Sequence, residues 1–340
     1  MSRDAKKLMD VALGKTPADL AVVNATLLNV YTGELQKNQS ISVIDKWIAY
    51  VGDNAQDAIG SDTIVIDAAG KTVIPGLIDG HTHLGWMCTI EDYLRYIIPG
   101  GTTTIVTETL ELYPVGGLDA VQEFLGSLEE QPIKILATAP AMVSISRKAG
   151  HMPIQDLKRL FSNNSVVGLG ESYWQSVLQQ PDILLPRFDE TLKSGKILEG
   201  HSAGASDKKL NAYIAAGITS CHEPIKADEV LQRLRLGIHV MAREGSIRRD
   251  LEEIAKINRS KVDLRRLILV TDGILPEDLL VKGYMEYVVQ KAIDYGFEPA
   301  VAIQMATVNV AELFAVDHWV GGIAPGRFAD MLLIPDITTI

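Results

Sequence analysis

The stretch VIPGLIDGHTH, residues 73–83, decides the fold because it is a short apolar run that ends in two histidines. Val73 to Gly80 have the apolar, β-branched composition of a buried strand. Residues two apart in a strand point to the same face, so His81 and His83 are expected to project together from its carboxyl end. Two imidazoles on one face suit a divalent metal ion. A polar turn after the strand is the alternative interpretation.

From this stretch onward, short apolar runs alternate with amphipathic segments of helical period. The eight predicted strands are residues 73–80, 102–108, 133–139, 166–171, 196–201, 218–223, 237–243 and 267–272. Helical segments between them include residues 118–130, 206–217 and 226–237. Eight strands with helical crossovers predict an α/β fold, a (β/α)8 TIM-like barrel, which typically needs ~250 residues. A doubly wound open sheet is the alternative, but it usually has a glycine-rich first turn, which is missing here.

Both ends of the chain predict a second region that is built from strands alone. Residues 19–30, 41–51 and 63–67 are predicted strands separated by turn-forming glycines, in the pattern of antiparallel hairpins. Residues 321–336 are strand-like again and are expected to pair with the N-terminal strands. We therefore predict a small β-sandwich module from residues 1–74 and 318–340, and a barrel from residues 75–317.

Composition limits the classes of function. The chain has 340 residues, of which 47% are hydrophobic and 22% charged, and its net charge is −11. The negative charge argues against a nucleic-acid groove or an anionic membrane surface. The sequence has no apolar run of about 18 residues and no apolar N-terminal leader. Its two cysteines, Cys88 and Cys221, cannot form a disulfide framework. These features predict a cytoplasmic protein with a small-molecule substrate.

Further residues of metal-binding type stand at the ends of other predicted strands. They are Glu171 after the fourth strand, His201 after the fifth, His222 after the sixth and Asp272 after the eighth. A barrel gathers the carboxyl ends of its strands on one face, where barrel enzymes place their active sites. Imidazoles and carboxylates form sites for Zn²⁺, Mn²⁺ or Fe²⁺. A carboxylate that bridges two such ions lowers the pKa of a shared water, and Asp272 is a candidate to deprotonate that water.

The order of these elements resembles the amidohydrolase superfamily of metal-dependent hydrolases. The resemblance covers nearly the whole chain. Many members have a carboxylated lysine on the fourth strand, whereas this chain has VVGLGES, residues 166–172, with Glu171. A finer resemblance lies in GHSAGASDKKLNAYIAAGITSCHEP (200–224), VMAREGS (240–246) and VTDGILPEDLL (270–280). These segments are similar to the bacterial adenine deaminase family.

The resemblance implies a centre of two divalent ions, which would be Mn, Fe or Zn. The implied ligands are His81, His83 and Asp272 for the first ion, His201 and His222 for the second, and Glu171 as the bridge. The implied reaction is hydrolysis of adenine, or a related 6-amino heterocycle, to hypoxanthine and ammonia by a metal-bound hydroxide. Asp272 would take the water proton, and Glu171 or Glu223 would deliver a proton to the ring or the leaving group. A homodimer is expected by analogy with barrels of this kind.

Candidate substrate contacts follow the first and seventh barrel strands. Trp86 is a candidate to stack on a planar base, with a role in the core as the alternative. Arg243 and Glu244 are candidates to orient the purine, and the alternative is an Arg–Glu pair that caps the next helix. The chain departs from the family in segments 84–87, 107–110 and 273–276, where a polar rim is expected to have become apolar. The family also continues into a further C-terminal domain, so we expect a truncated or divergent relative.

Two other functions stay open at this point. An amide-bond hydrolase of the same superfamily, either sugar-amide deacetylase-like or a cyclic amidohydrolase, can also use a glutamate on the fourth strand. A phosphate-binding cluster of Arg and Lys at the strand ends would favour a deacetylase, and we find only Arg243 there. A non-catalytic barrel that acts as a binding module would be expected to lack ligands, whereas all six candidates are present.

Overall fold

The structure, a computed structural model, describes residues 3–141 and 151–340. The chain divides into two compact units, Met1–Leu77 with Glu298–Ile340, and Ile78–Phe297. The strands are β1 (Leu20–Asn29), β2 (Glu34–Ile44), β3 (Trp47–Gly52), β4 (Ile64–Asp67), β5 (Thr72–Pro75), β6 (Leu77–Thr82), β7 (Thr102–Thr107), β8 (Lys134–Ala139), β9 (Val166–Tyr173), β10 (Ile197–His201), β11 (Ser220–Cys221), β12 (His239–Arg243), β13 (Leu267–Val270) and β14 (Met331–Ile334).

Most helices lie between or after the strands of the second unit, and the others belong to the first unit. They are α1 (Ala5–Ala12), α2 (Leu84–Met87), α3 (Ile90–Ile97), α4 (Tyr113–Ser127), α5 (Ile154–Phe161), α6 (Trp174–Gln179), α7 (Pro181–Lys193), α8 (Asp207–Ala215), α9 (Ala227–Arg235), α10 (Leu251–Ile254), α11 (Pro276–Lys282), α12 (Met285–Asp294), α13 (Pro299–Met305) and α14 (Val308–Leu313), with 3-10 turns at Gln56–Ala58 and Ala255–Ser260. Among the described helices, none combines the length and the apolar character needed to cross a bilayer.

The predicted eight-stranded barrel is confirmed. Strands β6 to β13 form one sheet in chain order, and the pairs from β7–β8 to β12–β13 run parallel. The backbone N–H of Asp272 donates to the carbonyl of His81 at 3.0 Å, which joins the last strand to the first. The carboxyl ends of all eight strands therefore meet on one face, as the sequence predicts.

A buried carboxylate helps to hold the first and last barrel strands together. Oδ2 of Asp79 accepts hydrogen bonds from the hydroxyls of Thr271 at 2.5 Å and Tyr284 at 2.6 Å. Oδ1 accepts from the backbone N–H groups of His81 and Thr271, each at 3.2 Å. Burial raises the pKa of Asp79, while these donors act in the opposite direction. Asp79 thus links β6 to the residue that precedes Asp272.

Replacing this carboxylate is expected to destabilise the barrel. Asp79→Ala leaves two buried hydroxyls and two N–H groups without their acceptor, so we expect a loss of about 3 kcal/mol in the free energy of unfolding. Tyr284→Phe removes one donor and should cost about 1 kcal/mol. Urea unfolding of both variants and the wild type measures this difference. A loss below about 1 kcal/mol for Asp79→Ala would show that water or neighbouring groups replace the carboxylate.

The strands of the chain ends form a separate six-stranded sheet that is mixed rather than purely antiparallel. β1 pairs antiparallel with β2 but parallel with β4 and β5. The register of β1 shifts around Asn24, whose φ of 58° lies in the left-handed region, as expected at a bulge. The residues before this point pair with β4 and those after it pair with β5, so the sheet divides into two arms. β14 pairs antiparallel with β5, which confirms the predicted return of the C-terminal stretch.

The predicted single strand over residues 41–51 is wrong. The structure has a hairpin of β2 and β3 there, with the turn at Asp45 and Lys46. Asp45 has a φ of 52°, a conformation that aspartate tolerates better than most residues. Apolar residues on both sides of the turn, Ile44 and Trp47, made the segment resemble one continuous strand.

Candidate metal centre

The end of β6 presents His81 and His83 to the barrel interior, as their two-residue spacing predicts. Both side chains are buried. Their Nε2 atoms each lie 3.3 Å from Oδ1 of Asp272, which follows β13. Oε1 of Glu171 in β9 lies 3.5 Å from Nε2 of His81 and 3.6 Å from Nε2 of His83. One potential ligand atom from each of these four residues lies within 4.8 Å of the other three.

A second group of potential ligands shares Glu171. Oε1 of this carboxylate is 3.5 Å from Nε2 of His222, and potential ligand atoms of Glu171, His201 and His222 lie within 4.8 Å of one another. His222 is buried and His201 is half-buried. The six side chains singled out at the strand ends are therefore gathered at one end of the barrel, with Glu171 between the two groups.

The chemistry of this cluster fits divalent metal ions. A single oxygen of Glu171 faces the Nε2 atoms of three imidazoles at 3.5–3.6 Å, too far for good hydrogen bonds. Nε2 of His81 is buried and, within residues 3–141 and 151–340, has no hydrogen-bond partner. Imidazole nitrogens and carboxylate oxygens are ligands that Zn²⁺, Mn²⁺ and Fe²⁺ accept. The cluster can therefore hold a metal ion.

Two carboxylates that the sequence analysis did not single out lie behind the imidazoles. Glu199 contacts Nδ1 of His81, and Glu111 contacts Nδ1 of His83. Glu199 stands two residues before His201 on β10, so strand alternation alone would have placed it on the same face. Glu111 lies in the connection after β7, where no periodicity predicts its direction. With carboxylates at Nδ1, these rings direct Nε2 toward the cluster.

A third unexpected carboxylate belongs to Glu108, directly after β7. It is fully buried, and neither oxygen has a hydrogen-bond partner in the described part of the chain. The side chain lies against Gly170, where a Cβ would stand 2.2 Å from Oε2 of Glu108. Burial and the nearby charges of Glu199 and Glu171 raise the pKa of Glu108 well above its usual range. Segment 107–110, where the sequence analysis expects an apolar rim, therefore contains a fully buried carboxylate.

Glu223 reaches the cluster because β11 is short. The strand ends at Cys221, so His222 and Glu223 do not alternate as they would in a longer strand. Oε1 of Glu223 lies 3.3 Å from Nε2 of His201 and 3.4 Å from Nε2 of His222. Nη1 of Arg243 donates to the same oxygen at 2.6 Å.

Arg243 contacts three carboxylates beside the cluster. Besides Glu223, its Nη1 donates to Oδ2 of Asp272 at 3.3 Å, and its Nε donates to Oδ2 of Asp250 at 3.1 Å. The guanidinium is buried. Arg243 therefore fixes the directions of Glu223 and Asp272 relative to each other.

Comparisons with known proteins agree with this geometry. Residues 72–340 match the model of the amidohydrolase family. The chain belongs to the amidohydrolase family. It is 37% identical over 344 aligned residues to the adenine deaminase of Clostridium botulinum (strain 657 / Type Ba4), and 38% identical over 343 to that of Moorella thermoacetica. These alignments cover 99% and 98% of this chain, which spans 57% of each relative's length.

A solved structure shares the fold of this amidohydrolase. N-acetylglucosamine-6-phosphate deacetylase from Pasteurella multocida superposes with a TM-score of 0.71, at 15% sequence identity. The match covers 94% of this chain and 96% of the deacetylase. At this level of identity, the likeness supports the architecture alone.

The acidic and basic side chains in the cluster of this amidohydrolase shift one another's pKa values. Burial acts to lower the pKa of His83, but contacts with Asp272 and Glu111 raise it to about 11. Burial acts to raise the pKa of Asp272, but the neighbouring His81 and His83 hold it well below its usual range. Excess negative charge around the imidazoles thus favours a cation in the cluster, whether a proton or a metal ion.

The remaining candidate residues of the amidohydrolase lie at the rim and behind it. The exposed Trp86 ring lies 5.0 Å from the His83 ring, between ring centroids. Glu244 is buried and lines a small cavity with Gly245, Ile274 and Tyr287, and none of the six potential ligands lines this cavity. Gly245 lies in the loop after β12, and its backbone packs closely against the loop after β13. A Cβ at Gly245 would stand only 1.9 Å from the carbonyl oxygen of Thr271.

Proposed function

We propose that this protein is a metal-dependent aminohydrolase that converts adenine, or a related 6-aminopurine, and water to hypoxanthine and ammonia. The observation that supports it most is that Glu171 belongs to two adjacent groups of potential ligands. A carboxylate between two sites is the arrangement suited to bridge a pair of ions. The identity with adenine deaminases over nearly the whole chain supports the choice of a purine substrate.

In this proposal, the first ion would be held by His81, His83 and Asp272 and the second by His201 and His222, and both sites would share Glu171. The ions would be Mn²⁺, Fe²⁺ or Zn²⁺, whose preferred ligands match this set. When bound, they supply Lewis-acid activation of water and of the substrate.

Asp272 and Glu223 are the residues we propose for the proton transfers. Oδ1 of Asp272 lies among the imidazoles and Oδ2 accepts from Arg243, so the carboxylate is oriented and suited to take a proton from the attacking water. Glu223 is oriented by the same guanidinium and is suited to deliver a proton to the departing amine. Glu171 is the second candidate for this delivery. The C6–N bond breaks as ammonia leaves, and the water oxygen becomes the oxygen at C6 of hypoxanthine.

Trp86 is the residue we propose to stack on the purine. Its ring is exposed beside His83, and an aromatic face can pack on a flat heterocycle at the mouth of the cluster. For Arg243, the three carboxylate contacts support an indirect role, in which it orients Glu223 and Asp272 rather than the purine. The environment of Glu244 supports a role in the packing of its loop.

Ammonia release tests the proposal. Protein supplied with Mn²⁺, Zn²⁺ or Fe²⁺ is expected to release ammonia from adenine, and removal of the ions by a chelator should reduce the rate by at least about 100-fold. 2-Aminopurine has its amine on a different carbon and is the matched control substrate, from which we expect no ammonia. Absence of deamination of every 6-aminopurine, at full ion content, would contradict the proposed reaction.

A further inference from the structure

Glu199 occupies a position that the proposed reaction does not use. Its carboxylate is fully buried in β10. Oε1 contacts Nδ1 of His81 and lies 4.0 Å from Nδ1 of His222. The two imidazoles are stacked, with ring centroids 4.4 Å apart and planes at 21°. One carboxylate therefore faces the same edge of both rings.

The opposite edges of these rings face Glu171. Nε2 of His81 and Nε2 of His222 each lie 3.5 Å from its Oε1. A carboxylate at Nδ1 keeps the proton on that nitrogen, leaves the Nε2 lone pair free for a metal ion and fixes the plane of the ring. Because His81 belongs to the first group of ligands and His222 to the second, Glu199 is placed to act on both groups at once.

We propose that Glu199 is a positioning residue shared by the two ion sites. It orients one imidazole of each site, so that a single buried carboxylate supports a ligand of both ions. This inference rests on the proposed metal pair. Glu111 offers the contrast, because it contacts Nδ1 of His83 alone and so supports a ligand of the first site only.

Direct ligation is the alternative role for Glu199, because one of its carboxylate oxygens lies within 4.8 Å of potential ligand atoms of His81 and His222. That role would use the Nδ1 atoms of both rings. The Nε2 atoms of both rings instead face Glu171, which is central to the two ligand groups. The geometry therefore favours an orienting role over ligation.

Ion retention distinguishes these roles without any substrate. Wild type, Glu199→Gln and Glu111→Gln are loaded with Zn²⁺ and dialysed against increasing concentrations of a chelator, and the ions per chain are counted. We expect Glu199→Gln to weaken both ions by about 10- to 100-fold, and Glu111→Gln to weaken one of them by a similar factor. Co²⁺ absorption spectra of the loaded variants should keep the wild-type band positions, because the direct ligands are unchanged.

Several results would overturn the inference. If Glu199→Gln retains both ions as tightly as wild type, or loses only one, Glu199 does not serve both sites. A changed Co²⁺ spectrum in Glu199→Gln would identify it as a ligand instead. Should Glu199→Gln fail to fold, Glu199→Asp keeps the charge at a greater distance, and both ions should again weaken together. A wild type that binds fewer than two ions would refute the metal pair, whereas failure to deaminate adenine would refute only the reaction.

Discussion

Asp272→Asn is expected to lower kcat for ammonia release by about 1,000-fold at full ion content, because an amide cannot accept the proton of the attacking water. Asn is the suitable replacement, since the residue has a φ of 55°, in the left-handed region that Asn also tolerates. The amide oxygen still offers a ligand atom. The measurement is kcat from steady-state ammonia release, with ions per chain counted in the same samples.

Asp250→Asn is the matched control for this variant. Asp250 contacts the same guanidinium of Arg243 at 3.0 Å, but it is not among the potential ligands. We expect its kcat to fall by less than about 10-fold, as for loss of one orienting contact. Activity of Asp272→Asn within about 10-fold of wild type would remove Asp272 from the proton transfer.

Glu171→Gln is expected to reduce the bound ions to about one per chain or fewer and to abolish measurable deamination. Glu171 is common to both groups of ligands, and an amide bridges two cations far less well than a carboxylate because it has no net charge to offset theirs. Elemental analysis after dialysis measures the ion content, and ammonia release measures the activity.

Glu190→Gln serves as the control for the loss of a glutamate. Glu190 lies on α7 and pairs with Lys158 at 3.4 Å, outside the groups of potential ligands. This variant should keep the wild-type ion content and rate. Retention of two ions by Glu171→Gln would show that the two sites do not share this carboxylate.

The barrel could be predicted because each of its strands is a short apolar run with its own boundary signals. In the sheet formed by the chain ends, the partners of each strand and the direction of pairing could not be predicted in the same way. β1 pairs with β4 and β5 in parallel, and no local pattern in these segments encodes that direction. The hairpin at Asp45 was missed because its turn has no glycine and interrupts an otherwise apolar run.

In the candidate site, too, residues on strands could be predicted and residues placed by loops could not. His81 and His83 could be placed from spacing within one strand, and Glu171 from its position at the end of another. Glu199 obeys the same alternation and could have been found by extending the argument two residues back from His201. Glu111 could not, because the path of the loop after β7 fixes its direction.

The close approach of Gly245 to the backbone after β13 has a consequence for motion. The N–H of Glu244 donates to Val270 at 3.0 Å, and the N–H of Ser246 donates to Gly273 at 3.1 Å. The loop after β12 is thus bonded on both sides of Thr271 and Asp272. We expect the two loops to fluctuate as one body, so that any opening of this part of the rim also displaces Asp272. Closure of these two loops and placement of the Asp272 carboxylate beside the imidazoles would then occur in the same motion.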